Sequence, residues 1–410
     1  MKIWIRFLVG SVIGVILGVW LPEAGGDSAQ LFGAVAAFVI NIGRYLLFPL
    51  LFFGITIGVY ELVQQRAMLR IYLKMIGLIV ATSAAMILLG ALGVLFLSPA
   101  RVPPIFQEAP LLTLPTLSDL LFRVFPRNLF LIFAEDGNFL LPVAVFGILL
   151  GVVFGREQRV SEPLAQVFDS ACRVFYRLVS YLIEVLAIGM IAISAAFVFE
   201  LRAITDFDIF SQLIIVLLFT VGVIAFVIFP LILYFVTDRE NPYLWLYAML
   251  IPVISAVFSR DAYFALPALT RVGKENLGVP RSVGSSVFPL AAVLAKGGTG
   301  LVTAASFILI LRSYTALEIT FAQVTWVMVA TFGISFILGS VPGSGVLVAL
   351  SLLSSAYGRG MEEVFLILMP IVPILISIAV FLDVVTAGFI GYLVAFSERM
   401  TKRVDHLDYI

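Results

Sequence analysis

The sequence predicts an all-α polytopic membrane protein with eight transmembrane segments and two re-entrant helical hairpins. Three observations carry that expectation. Of 410 residues, 62% are hydrophobic and 12% are charged, against roughly 25% charged in soluble domains. Apolar stretches long enough to cross a bilayer, which takes about 20 residues of helix, recur from one end of the chain to the other. Two further apolar stretches carry glycine, proline or charge at their centres, where a simple spanning rod would carry aliphatic residues.

The elements follow in order. Spans are expected near 4–21, 31–62, 70–98, 119–155, 165–198, 208–236, 283–312 and 364–396. The first opens with Lys2 and Arg6 and runs apolar to Leu21 without a small-residue cleavage site, so it reads as a retained helix and not a signal peptide. The stretch 31–62 is long for one span and is expected to tilt or protrude. The stretch 119–155 is interrupted by Pro126, by Glu135-Asp136-Gly137-Asn138 and by Pro142, and is expected to be broken. The two odd segments, 243–275 and 325–357, centre on Ser259-Arg260-Asp261 and on Gly339-Ser340-Val341-Pro342-Gly343-Ser344-Gly345. Such residues let the chain reverse, which marks the segments as hairpins entering and leaving on one side; two kinked ordinary spans are the alternative. A hairpin followed by a span thus occurs twice, from opposite sides, as in an inverted-topology repeat.

Charge placement orients the set. With the N-terminus inside, the cytoplasmic turns hold Arg66, Arg70 and Lys74, then Arg156 and Arg159, then Arg271, Lys274 and Arg281, then Arg399, Lys402 and Arg403. External connections carry few basic residues, as the positive-inside rule requires. Both termini are then cytoplasmic, with 397–410 as a polar tail, in a multi-pass protein of the plasma (inner) membrane.

Zero formal net charge names no acidic or nucleic-acid partner. The single cysteine, Cys172, and the single histidine, His406 in the tail, exclude a His/Cys metal centre or a hydrolase triad within the membrane. No cofactor and no enzymatic activity are expected; the partners are the bilayer and a small-molecule substrate.

One residue stands out. Lys296 is the sole charge between Ser282 and Leu311, and Ala295-Lys296-Gly297-Gly298-Thr299-Gly300 should break a helix near mid-bilayer. A charge at that depth costs about 2.5–3.5 kcal/mol on insertion scales. An ionisable side chain in a glycine-interrupted intramembrane helix is the pattern of a transporter binding site.

Several short motifs, in order, carry a resemblance to the glutamate transporter family, the dicarboxylate/amino acid:cation symporters. They are Phe48-Pro49-Leu50-Leu51-Phe52-Phe53 in the second span, Thr82-Ser83 in the third, and Phe125-Pro126-Arg127-Asn128-Leu129-Phe130. Leu266-Pro267 with Arg271-Val272-Gly273-Lys274-Glu275 resembles the stretch after the family's first hairpin tip, and Ser340-Val341-Pro342-Gly343-Ser344-Gly345 resembles the second tip. The resemblance covers nearly the whole chain. It implies a homotrimer working as an elevator, with 1–62 and 119–198 as a scaffold and trimerisation domain. Residues 63–118 and 199–396, with both hairpins, would form the mobile transport domain.

The departures bear on function. Where the family has a serine-rich first tip, this chain has Asp261-Ala262-Tyr263 after Arg260. Where it has an Asn-Met-Asp-Gly-Thr run supplying sodium ligands, this chain has Ala295-Lys296-Gly297-Gly298-Thr299. The eighth-span arginine and aspartate that hold an acidic amino acid have no counterpart, since 364–382 contains no charge; Asp383 falls near a sodium-binding asparagine, and Thr386-Ala387-Gly388 replaces a later aspartate.

Sodium needs several oxygen ligands. An ammonium in the same turn adds repulsion of about 4 kcal/mol at 4 Å and an effective dielectric near 20. We therefore expect degenerate sodium sites, with Lys296 replacing a coupling cation and pairing with Asp383. A proton-carrying lysine and a fixed structural bridge are the alternatives. If the repeats fold as the resemblance implies, Lys296 and Arg260 would converge with Asp383 and Asp261. Substrate contacts are expected from Arg260, Asp261, Ala262, Tyr263, Thr299, Val341, Pro342, Gly343 and Asp383, and ion coupling from Lys296, Asp383, Thr82 and Ser83. The expected function is secondary transport of a small amino-acid- or carboxylate-like solute other than an acidic amino acid. Sodium- or proton-coupled symport of the family's usual type, an anion or solute channel, and a transport-dead sensor are the competing readings. Arg44 and Glu184 are expected to pair or snorkel in the scaffold, and Gly54 and Gly58 to mark helix contacts.

Overall fold

In the computed structural model, every regular element among the described residues is helical. Those residues are 2–21, 27–102, 118, 122, 124–126, 128, 130–134, 139–204, 207–237, 241–314, 319–340, 343–358 and 360–410. Seven helical stretches among them are long and apolar enough to cross a membrane: Ile3–Trp20, Ser28–Gln64, Met68–Leu97, Gln158–Arg202, Phe207–Val236, Arg281–Tyr314 and Val364–Ser397. The expected span 119–155 is represented by the shorter apolar helix Leu141–Arg156; Arg127, Leu129 and 135–138 lie outside the described residues.

The first helix, α1 (Ile3–Trp20), lies along the 45-residue α6 (Gln158–Arg202). Gly10 and Gly14 of α1 sit so close to the Ala187 and Ile191 carbonyls that a Cβ at either would collide. The stretch expected as one tilted span, 31–62, is instead two helices, α2 (Asp27–Tyr45) and α3 (Leu47–Gln64). The break falls at Leu46, and Pro49 accounts for it: a proline can sit in the first turn of a new helix but not deep inside one. The next helix, α4, is Met68–Leu97.

Phenylalanines lock α3 to α5 (Leu141–Arg156) and α6. Phe52 meets Phe146, Phe168 and Phe133 with ring centroids 5.6, 5.5 and 5.3 Å away, and Phe53 meets Phe168 and Phe175 at 5.0 and 5.5 Å. Such edge-to-face and offset pairs add about 0.5–1.5 kcal/mol each beyond area burial. Another side of α3 comes close to α11 (Arg281–Leu294). A Cβ on Gly58 would lie 2.5 Å from the Ser285 hydroxyl and 3.0 Å from the Ser282 carbonyl.

The α7 helix (Phe207–Val236) runs through a π-helical turn at Ile224–Ile228, and the Tyr243 hydroxyl donates to the Phe226 carbonyl there at 3.3 Å. The segment 243–275 resolves into α8 (Tyr243–Ala248), α9 (Leu250–Ser259) and α10 (Ala262–Glu275), the last two packed on each other. Arg260 between them is left-handed at φ 57°, which ends α9. Asp261 then caps α10 by accepting from the Tyr263 N–H at 2.8 Å.

The span 283–312 is broken where the sequence places Lys296, into α11 (Arg281–Leu294) and α12 (Gly297–Tyr314). The segment 325–357 holds α13 (Phe321–Ser335), a 3₁₀ turn at 338–340 and α14 (Gly345–Tyr357). The last long helix, α15 (Val372–Ser397), follows a 3₁₀ stretch at Val364–Ile371.

Helices α1, α2, α3, α5 and α6 pack on one another, and so do α4 and α9 to α15; between these groups α3 packs on α11, and α1 and α6 pack on α9. The C-terminal residues are docked, unlike a free polar tail: the Lys402 N–H donates to the Gly278 carbonyl at 2.9 Å, the Ile410 N–H to the Asn276 side chain at 3.0 Å, and Tyr409 is buried against Tyr247.

Candidate functional site

The site grows from the break between α11 and α12. Ala295, at φ −82° and ψ 73°, turns the chain so that the Lys296 N–H donates to the Leu294 carbonyl at 3.0 Å. This is an inverse γ-turn, a common way to leave a helix. α12 then starts afresh at Gly297, and its first N–H groups have no partner within the helix.

Asp383, on α15, supplies one. Its carboxylate accepts from the Thr299 N–H at 3.0 Å and from the Thr299 hydroxyl at 2.6 Å. An anion at a helix N-terminus is favoured by both the open N–H groups and the helix dipole. The glycines make the approach possible: a Cβ on Gly298 would lie 2.6 Å from the Ala379 carbonyl and 2.9 Å from the Asp383 nitrogen.

Lys296 Nζ lies 3.9 Å from Asp383 Oδ2 and 5.9 Å from the centroid of the Tyr263 ring. Lys296 is 7% exposed, Asp383 2% and Thr299 4%. The charges therefore face one another in a nearly closed setting, where an unpaired one would be costly. At 3.9 Å the ammonium forms an ion pair with Asp383 but no hydrogen bond.

Of the pair Thr82-Ser83, Ser83 faces the break. A Cβ on Gly297 would lie 3.3 Å from its hydroxyl, which is buried and has no hydrogen-bond partner among the described residues. The half-buried Thr82 donates to the Leu78 carbonyl of its own helix at 2.7 Å. The turns that follow α9 and α13 meet at the same place. The Tyr263 hydroxyl donates to the Gly339 carbonyl. Gly343, at φ +76°, packs near the Arg260 carbonyl, and Gly345 packs against Thr299. Ala262 is buried at the start of α10. Val341 and Pro342 lie outside the described residues.

The expected convergence of four charges does not occur. Arg260 turns away from Lys296 and binds Glu200 of α6 through both guanidinium nitrogens, one at 2.7 Å, with Phe197 beneath it. Asp261 is 2% exposed and is held by Arg44 of α2. Its other oxygen is committed to the cap on α10. The tip charges are thus neutralised across to α2 and α6, and Lys296 and Asp383 are left to each other.

Arg44 and Glu200 are the participants that sequence reasoning did not place at the tip. An isolated arginine and a carboxylate near the end of an apolar helix were the available signals. Glu184 lies 3.7 Å from Arg6 and 3.9 Å from Arg271, and so pairs as expected. Trp245 is buried against Phe389.

A bundle of apolar helices, with one of them broken around an intramembrane ion pair, defines a class: membrane transporters that bind solute at helix breaks. The chain matches the Sodium:dicarboxylate symporter family over residues 3–397, and it belongs to that family, one of transporters and not of enzymes. It is 27% identical over 237 residues to excitatory amino acid transporter 3 of Bos taurus, a match covering 57% of this chain and 44% of the relative. It is 27% identical over 237 residues to neutral amino acid transporter B(0) of Oryctolagus cuniculus, covering 57% of this chain and 43% of that protein. To human excitatory amino acid transporter 1 it is 26% identical over 234 residues, covering 56% and 42%. The aligned stretch is thus less than half the length of each of these relatives.

Proposed function

We propose that this protein is a secondary transporter of a small organic solute in which Lys296 stands where a coupling cation would bind. The observation that carries the reading is the buried Lys296–Asp383 pair, set at the N-terminus of a helix that restarts in mid-span. The carboxylate is the group a sodium ion would seek, and an ammonium already neutralises it.

The wider reading divides the helices by role. The set α1, α2, α3, α5 and α6 is the scaffold, and α4 with α7 to α15 is the moving unit, with α9–α10 and α13–α14 as re-entrant hairpins in inverted repeats. Residues 1–62 and 119–198 thus hold still while 63–118 and 199–396 travel as an elevator. The ion pairs Arg44–Asp261, Arg281–Glu61 and Arg281–Asp169 join the two sets and must part for motion. Assembly is as a homotrimer, and both termini are cytoplasmic in the plasma membrane. The substrate binds among Tyr263, Thr299 and Gly343, with Val341 and Pro342 as further contacts. The relatives' names include both excitatory and neutral amino acid transporters; the uncharged stretch 364–382 favours a neutral or aromatic solute here.

Reconstituted protein in liposomes tests the proposal. Uptake or counterflow should proceed equally with and without a sodium gradient, and strict sodium dependence would overturn it. One observation favours a second reading of the same residue. The three N–H donors of Lys296 have no acceptor at hydrogen-bond distance among the described residues. They are free to hold a substrate carboxylate, in which case Lys296→Met abolishes solute binding without creating a sodium response.

A further inference from the structure

We infer that a cavity away from the helix break is a binding site for an acidic phospholipid. The cavity has a volume of about 1170 Å³ and lies between α3 and α6 on one side and α10 and α11 on the other. Ordinary small-molecule sites hold about 300–1,000 Å³, so this one suits a larger occupant.

Its lining is two-natured. Leu50, Leu51, Val174, Leu178 and Pro289 make apolar walls. Five cations also face it, Arg173, Arg177, Arg271, Lys274 and Arg281, against the carboxylates of Glu184 and Glu275. Three of the cations are committed. Arg173 pairs with Asp169 at 3.0 Å, Arg271 lies 3.3 Å from Glu275, and Arg281 lies 2.7 Å from Glu61 and also binds Asp169. Lys274 lies over the ring of Tyr176 at 4.3 Å, and neither it nor the exposed Arg177 has an ion pair among the described residues. Two uncompensated cations beside hydrocarbon walls call for a ligand with an anionic head and an apolar body.

The depth agrees with a headgroup. From Leu178 to Phe199 the only charge on α6 is Glu184. Those residues span about 33 Å at about 1.5 Å each, close to the thickness of a bilayer core. Arg177 and Lys274 therefore sit at the edge of the hydrocarbon. In the orientation proposed above that edge faces the cytoplasmic leaflet, where basic pockets between helices take acidic headgroups. The chemistry shared with free phosphate is the anion; the walls favour the lipid.

Native mass spectrometry of the delipidated full-length protein tests this, with phosphatidylglycerol, phosphatidylcholine of the same acyl chains, and inorganic phosphate as separate probes. Phosphatidylglycerol should bind in preference to both. The double variant Arg177→Gln/Lys274→Gln should weaken it by about thirtyfold, the effect of two basic side chains at a charged surface. Arg156→Gln/Arg159→Gln, which removes the same charge elsewhere, should leave it unchanged. Equal binding of phosphatidylcholine, binding of phosphate alone, or equal loss in the control variant would overturn the inference. Thermal melts of the lipid-free variants show that each is folded. The readout is binding and not transport, so failure here leaves the transport reading untouched.

Discussion

Replacing Lys296 with methionine should turn a sodium-indifferent protein into one that sodium stabilises. At the observed 3.9 Å separation and an effective dielectric near 20, the attraction between Lys296 and Asp383 is about 4 kcal/mol. Removing one partner of a buried pair generally costs about 3–5 kcal/mol, because the other charge is left without compensation. Lys296→Met should therefore lose that much stability in sodium-free buffer, measured by thermal or denaturant unfolding in detergent. Asp383→Asn should lose a similar amount. The double variant should lose much less than the sum of the two, since no uncompensated charge then remains. In Lys296→Met alone, Asp383, Thr299 and Ser83 offer oxygens to a cation. A sodium concentration near 100 times its dissociation constant would return about 2.7 kcal/mol. Additive losses in the double variant, or a Lys296→Met protein as stable as the parent and blind to sodium, would refute the reasoning.

Other outcomes follow from the same geometry. Thr299→Val removes a charge-assisted hydrogen bond to Asp383 and should cost about 1.5–3 kcal/mol, read in the same melts. Arg44→Met strips Asp261 of its cation and should cost about 3–5 kcal/mol, whereas Asp261→Asn, which keeps the cap on α10, should cost less. Gly298→Ala drives a Cβ into the Ala379 carbonyl and should destabilise by about 1–3 kcal/mol or prevent folding, which expression and melting would show. Glu398, just past α15, is held below its ordinary value by the Lys74 ammonium that donates to it, with Arg70 beside it. A carboxyl lowered in the folded state stabilises above its unfolded value, about 4.3, and that contribution disappears as the pH falls through the folded value. Glu398→Gln should flatten the acid limb of a stability–pH profile, and an unchanged limb would show that the pair contributes nothing.

Much of the architecture was legible because hydropathy is a strong signal at bilayer length. The seven apolar stretches of spanning length, the break at Lys296 and the turn at Arg260-Asp261 follow from local residue types. The pairing of Lys296 with Asp383 was legible only through the family resemblance, which aligned two residues 87 positions apart. Charge partners across the bundle were not legible. Arg260 and Asp261 are adjacent in sequence, yet the reversal at Arg260 sends one side chain to α6 and the other to α2. Nothing in a one-dimensional pattern tells which of several lone charges will face a given tip. The break within 31–62 has a different signal: Pro49, in the first turn of α3, marks where one helix ends and the next begins.

The two sides of α3 have different mechanical characters. On one, the rings of Phe52 and Phe53 interleave with those of α5 and α6, so any sliding must unseat stacked side chains. On the other, Gly58 lies backbone-close to Ser282 and Ser285 of α11, and Glu61, about one turn further along α3, pairs with Arg281 of α11 at 2.7 Å. Shear along the first face is resisted by interlocked shapes, and shear along the second by a charge pair. A single helix thereby carries two catches of different physical kind.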